Sequence, residues 1–158
     1  YQHRLELVLK ASDLMAKADN LSEGLQSLTR MLVTLFPGNL CLISLLDESG
    51  NSLTAQAGTC DPNHFAGDAN WQAPIGTNYP IAIYPGLLEF LQTGKAARFK
   101  HSQEHRRETL KQAQLALGLS QPLRSLLMIP LRLGKRPLGL LSLLETCDES
   151  QSQFLKKE

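Results

Sequence analysis

Apolar positions change their spacing several times along this chain, and each change marks an element. From Leu5 to Ala18 they recur at helical intervals in two stripes. Leu7, Ala11, Leu14 and Ala18 form one stripe, and Leu5, Val8, Leu9 and Met15 lie beside it. A helix with two apolar stripes packs one on its own domain and offers the other to a partner, so Leu5, Val8 and Leu9 are the candidate dimer contacts. A second helix follows. Asn20 caps it, with Glu23 three residues on, and Leu21, Leu25, Leu28, Leu32 and Leu35 keep a three-four spacing until Pro37-Gly38 ends the run.

At Leu40 the period falls to two. "LCLISLLDESGNSLTAQAG" predicts a strand, a polar turn over Asp47 to Asn51, and a second strand in which Leu53, Ala55 and Ala57 alternate with Thr54 and Gln56. The first strand, apolar on both sides, is expected to be the more buried. Periodicity then disappears from Thr59 to Pro85, a length of irregular chain that a compact domain keeps mainly for function. It returns as a short helix over Pro85 to Gln92 stopped by Gly94, a short strand over Ala96 to Phe99, and a polar helix from Gln103 to Leu117. That helix turns Leu110, Ala113 and Leu117 inward and stops at Gly118.

The strongest pattern comes last, in "SLLMIPLRLGKRPLGLLSLLE", Ser125 to Glu145. Leu127, Ile129, Leu131 and Leu133 share one face of its first strand, and Leu138, Leu140, Ser142 and Leu144 share one face of the return strand beyond Gly134-Lys135-Arg136. Pro130 suits a position where the strand bends or lacks a ladder partner, and Gly139 one where another backbone comes close. Asp148 then caps a terminal helix reaching Phe154 and Leu155. Two hairpins, an isolated strand and covering helices predict an α+β domain with a mainly antiparallel central sheet of five or six strands.

Composition narrows the function. The 158 residues suffice for one domain over 1–158 that buries about two-thirds of its extended-chain surface. Aromatic residues make up only 6%, so the core is aliphatic and the large rings are local features. Sixteen basic against fifteen acidic side chains argue against a nucleic-acid or anionic-membrane surface. The basic stretch from His101 to Lys111 is interrupted by Glu104 and Glu108 and reads as a solvated helix face. No run approaches the roughly 20 apolar residues of a membrane span. Tyr1 is not an initiator Met and no signal peptide precedes it, so the expectation is a cytoplasmic piece of a longer protein. Cys41, Cys60 and Cys147 have neither CxxC spacing nor a nearby His pair, which speaks for reduced thiols and against a zinc or disulfide framework.

The element order and the closing hairpin resemble the GAF domain family of small-molecule sensors. The likeness rests on Ser125 to Leu131, Gly134 and Leu138 to Leu143, with "LGLSQPLRS" at Leu117 to Ser125 and "TGKAARF" at Thr93 to Phe99 leading into it. It implies a GAF- or PAS-like fold, with a ligand pocket on the sheet face under the irregular segment and the helices after it. It also implies a non-catalytic regulatory domain upstream of a histidine kinase, diguanylate cyclase or transcriptional activator.

Several chemistries known among such domains do not map onto these residues. A covalently attached bilin calls for a Cys next to a His, which is missing, and no cyclic-nucleotide constellation can be placed. A haem would need an axial ligand from His3, His64, His101 or His105, of which His64 alone falls in the irregular segment. A free methionine sulfoxide reductase needs a resolving thiol, and Cys60 has none nearby in sequence. What remains is "CDPNHFAGDANWQAPIGTNYPIAIYPG", where Phe65, Trp71, Tyr79 and Tyr84 stand among Asp61, Asn63, His64, Asp68 and Asn70, the mixture of walls and anchors a pocket requires. The candidate ligand contacts are His64, Trp71, Tyr79, Phe99 and Arg124, the last as a bidentate partner for an anion. The ligand itself is not legible, and a ligand-free dimerisation module is the alternative reading.

Overall fold

The structure, a computed structural model, describes residues 21–35, 40–60, 72–84, 86–100, 102–119 and 121–146. The helix expected over Leu5 to Ala18, with Leu5, Val8 and Leu9, lies outside them, as do Asn20, Pro37-Gly38, the terminal helix capped by Asp148, and the stretch from Asp61 to Trp71.

Among the described residues, three α-helices and six strands follow one another in the order α1 (Leu21–Leu35), β1 (Leu40–Leu46), β2 (Ser52–Cys60), β3 (Asn78–Pro80), α2 (Leu87–Thr93), β4 (Ala97–Lys100), α3 (Arg107–Ala116), β5 (Leu123–Leu133) and β6 (Arg136–Thr146). The strands form one sheet, ordered β3-β2-β1-β6-β5-β4, and every neighbouring pair is antiparallel. The α+β reading and the six-strand upper count are therefore correct. None of the described helices is long and apolar enough to cross a membrane.

Two central strands explain the two fully apolar runs. β1 lies between β2 and β6, and β6 between β1 and β5, so both have a covered ladder on each side and a layer on each face. Leu40, Leu42 and Ser44 point to one face, and Cys41 and Ile43 to the other. α1 covers the second face, packing Leu25, Leu32 and Val33 on Cys41, Ile43, Ala57, Leu141 and Leu143. The expected leucine stripe holds at Leu25, Leu28 and Leu32, while Leu21 is exposed and the fully buried Thr29 joins the contact. Polar groups tighten that layer. β3 covers β2 only along Ser52–Thr54, and farther up the open edge the Gln26 carboxamide serves as a strand partner. It accepts from Gly58 N at 3.1 Å and donates to Gly58 O at 2.8 Å, beside a 2.7 Å contact between the Thr29 and Thr59 hydroxyls.

Three departures from strict alternation correct the sequence-based reading. The β1–β2 register passes from Ile43↔Ala57 to Ser44↔Ala55, so Gln56 is an extra residue and Ala57 lands on the α1 face, opposite Leu53 and Ala55. In the closing hairpin the register slips between Leu131 and Arg132, leaving Leu138 unopposed; Leu138 and Leu133 are exposed near the turn, outside the faces assigned to them. The segment from Thr59 to Pro85 is not irregular throughout. β2 continues to Cys60, and Asn78–Pro80 pairs with Ser52–Thr54 before a 3-10 turn over Ile81–Ile83. Three residues recruited by main-chain hydrogen bonds leave no side-chain period to read.

Smaller shifts occur elsewhere. α2 runs from Leu87 to Thr93 rather than Pro85 to Gln92, and β4 from Ala97 to Lys100 rather than Ala96 to Phe99. The polar helix opens as a 3-10 turn, Glu104–Arg106, and its α-helical part ends at Ala116, with Gly118 at φ +67° as the expected stop. Leu110, Ala113 and Leu117 do face the core. Pro130 pairs with Leu140 of β6, while β4 meets β5 only from Met128 to Ser125, so on that side Pro130 has no ladder neighbour.

Gly139 sits where β6 presses on β1. A Cβ there would fall on the Ser44 carbonyl oxygen and within 2.9 Å of Leu45 Cα, both backbone atoms that cannot turn away. Gly134 is a different case: its φ is +62° and a Cβ would meet open space. Gly139→Ala is therefore expected to cost about 1–3 kcal/mol or more through backbone displacement, and Gly134→Ala about 1 kcal/mol through the left-handed conformation alone. Urea unfolding of both variants checks the order. At the β1–β2 turn, Asp47 accepts from Ser52 Oγ, Ser49 Oγ and Asn51 N, and chiefly the Ser52 and then the Ser49 bond hold its carboxyl down to about 2. Its contribution to stability is present above the ordinary carboxylate value of 3.8 and fades as pH falls through about 2. In acid titration, Asp47→Asn should flatten the loss of stability in that window.

Candidate functional site

On the face opposite α1 the helical layer does not close. α2 and α3 cover the sheet but leave a cavity of about 330 Å³ between them and the strands. Such a volume is at the small end of the roughly 300–1,000 Å³ range of small-molecule sites. Its floor is made by alternate residues of four strands: Leu42 and Ser44 of β1, Leu53 of β2, Leu126 and Met128 of β5, and Leu140, Ser142 and Leu144 of β6. Leu87 and Phe90 of α2 and Thr109, Gln112, Ala113 and Ala116 of α3 face them. The small side chains at Ala113 and Ala116 leave the room. Tyr79 of β3, Tyr84, Gly86, Phe99 of β4 and Leu117 complete the described wall, in which no residue is charged.

Of the expected ligand contacts, the cavity brings together Tyr79 and Phe99. Tyr79 is partly buried and its hydroxyl donates to the Ala116 carbonyl at 3.4 Å; burial, and after it the neighbouring Tyr84 phenol, push its pKa up, so the ring stays neutral and a donor. Phe99 carries the Arg106 guanidinium over its ring, the guanidinium carbon 4.7 Å from the centroid. Arg124 does not line the cavity. It is the extra residue where the β5–β6 register slips between Leu123 and Ser125, its side chain is 53% exposed, and it meets Glu145 at 3.4 Å. A bulged residue is turned out of the sheet's face pattern, and so Arg124 stands away from the cavity floor although it directly precedes the hairpin. His64 and Trp71 lie outside the described residues.

The serines, Thr109, Gln112, Phe90 and Met128 were not singled out from sequence. For Ser44 and Ser142 a signal existed: each is the one polar interruption in an otherwise apolar strand run, and both fall on the cavity face. Their hydroxyl-bearing residues are 5% and 9% exposed. Among the described residues no His, Cys, Asp and Glu come together in a group of three or more that could hold a metal. Of the histidines considered as haem ligands, only His105 falls within a described element, the 3-10 turn before α3; His3, His64 and His101 lie outside.

The two cysteines among the described residues face different layers, Cys147 lying outside them. Cys41 is fully buried on the α1 side, where desolvation pushes its thiol up to about 12. Cys60, half-buried at the end of β2, packs against the core cluster on the cavity side. Thiols on opposite faces of one sheet cannot resolve each other, so the pair does not form a redox couple.

Comparison with known proteins decides the family. Residues 20–158 match the GAF domain. The chain belongs to the GAF domain family. Solved structures with the same fold include the phycocyanobilin-bound GAF domain of a cyanobacterial phytochrome, at TM-score 0.64 and 14% identity over 96% of this chain and 87% of that one. The GAF domain of an Acinetobacter phosphoenolpyruvate-protein phosphotransferase superposes at TM-score 0.63 with 15% identity, over 98% of this chain and 87% of that one. An A. aeolicus nlh2 GAF domain in an inactive state reaches TM-score 0.61 at 13% identity, covering 97% and 84%. A search of the curated proteins returned no match. GAF domains are in general sensory and non-catalytic parts of signalling proteins, and this one shares their architecture.

The contrast between the two thiols is directly measurable. Iodoacetamide at pH 8 is expected to leave Cys41 of the folded GAF domain unmodified, and to label it once urea unfolds the chain, as read by peptide mass spectrometry. Because the folded thiol stays protonated to about 12 while the unfolded one ionises near 9, this group's contribution to stability is full below about 9 and is lost as pH rises toward 12. Cys41→Ala should remove that part of the alkaline slope.

Proposed function

We propose that this GAF domain is the sensory, dimerising part of a cytoplasmic signal-transduction protein, and that it binds a small molecule in the cavity between the sheet and α2/α3. The observation that carries the reading is the cavity itself: a space of about 330 Å³ on the face where α1 is absent, walled by apolar side chains with a few hydroxyl and amide groups among them. Close-packed interiors keep few voids larger than a water. A ligand that fits one arrangement of the covering helices better than another would shift their balance, which is the requirement for any signal. The shift would pass through the terminal helices to an output module such as a histidine kinase, diguanylate cyclase or transcriptional activator. His64 and Trp71 are proposed as further ligand contacts from the segment before Gln72, and Leu5, Val8 and Leu9 as the contacts of a homodimer.

Native against denaturing mass spectrometry on gently purified protein tests the central claim. A retained mass, lost on denaturation and absent from Ala113→Trp, in which an indole fills the cavity, is the expected result; Trp71→Ala should reduce it. An unliganded protein whose thermal stability is unmoved across a metabolite panel would remove the sensor reading. The dimer is tested separately by light scattering: alanine at Leu5, Val8 and Leu9 together should halve the mass, and an unchanged mass would discard the terminal-helix interface.

A further inference from the structure

Two hydroxyls stand where an apolar floor would pack better. Ser142 is opposite Leu42 and Ser44 opposite Leu140 in the β1–β6 register, so the serines are diagonal neighbours on one face of the central strand pair. Both are at least nine-tenths buried and both line the cavity. Among the described residues no hydrogen bond engages either hydroxyl, and neither oxygen is sealed off from the cavity, the one sealed side-chain polar atom without a partner being Arg132 Nε. Elsewhere the buried hydroxyls of this domain are engaged: Thr29 with Gln26 and Thr59, and Ser52 with Asp47. Each Ser hydroxyl opens onto the cavity and offers one donor and two acceptor sites to whatever enters.

Around this pair the described wall is mainly apolar and carries no charge, its other polar groups being those of Tyr79, Tyr84, Thr109 and Gln112. A ligand carboxylate or ammonium seated against this described wall would give up hydration and find no opposite charge in it, a penalty far larger than that of a neutral group that keeps one or two hydrogen bonds. We infer that the cavity takes an uncharged, mainly apolar small molecule carrying one hydroxyl or carbonyl group, which hydrogen-bonds to Ser44 and Ser142. The inference rests on the ligand-binding reading above and names the chemistry it selects.

Four probes of one shape separate the possibilities: toluene, benzyl alcohol, benzoate and benzylammonium, each titrated at pH 7.5 into the full chain and followed by amide chemical shifts. Benzyl alcohol is expected to perturb the cavity residues and to bind at least tenfold more tightly than either ion. The double variant Ser44→Ala/Ser142→Ala should weaken benzyl alcohol about tenfold, the value of one or two neutral hydrogen bonds, and leave toluene unchanged. The unchanged toluene shifts also report that the variant is folded. Benzoate or benzylammonium binding as tightly as the alcohol would overturn the uncharged class and leave the ligand-binding reading standing. An alcohol indifferent to the serine substitutions would overturn their role. If none of the four probes binds, the inference fails, and the retained mass in native spectrometry then decides separately whether a ligand site exists.

Discussion

The close approach of β6 to β1 is the constraint on which the rest of the domain depends. At Gly139 the two backbones come so near that no side chain fits between them, and from that point the register Leu45↔Gly139 through Leu40↔Leu144 assigns every residue of both strands to one layer or the other. Because these strands are covered on both faces, their sequences are nearly continuous in Leu and Ile rather than alternating. Hydrophobic burial supplies the driving force, and the glycine contact sets the alignment in which it is realised.

From the same pair of strands the two faces develop differently. On one, α1 has fifteen residues and lays an apolar stripe along the sheet, with Gln26 and Thr29 satisfying polar groups at the β2 edge. That layer is closed. On the other, α2 has seven residues and α3 ten, and α3 presents Ala113 and Ala116 where larger side chains would fill the gap. A short helix and small side chains hold two walls apart without straining either. In this fold the cavity is a consequence of the covering layer, and two serines in the strands beneath put hydroxyl groups on its floor.

How much of this was legible depended on how many residues shared each signal. The closing hairpin, β1, and the inward face of α3 are long enough for periodicity to accumulate, and they were read with the right type and nearly the right ends. β3 has three residues, Asn78–Pro80, and is held by main-chain bonds to Ser52–Thr54, so its side chains carried no information about it. Bulges act in the opposite way. One extra residue at Gln56 reverses the facing of everything after it, and unopposed residues at Arg124 and Leu138 turn outward although their neighbours obey the pattern. Tyr79 and Phe99 lie in the cavity wall, whereas Arg124 lies outside it because it is the extra residue of a bulge in the β5–β6 ladder.

The sequence by itself determined the α+β architecture, the identity of the central strands, the helix stops at Gly94 and Gly118, and the family, because each of these follows from local spacing repeated over many residues. It also carried the need for a small residue at Gly139. Tertiary structure alone decided which side of the sheet stays open, which of Ala55 and Ala57 faces it, and that Ser44 and Ser142 lie side by side on its floor. Those outcomes depend on strand register and on how far two helices stand from a sheet, set by pairings that in β1–β6 join residues about a hundred positions apart and in β1–β2 turn on one extra residue, which no local pattern records.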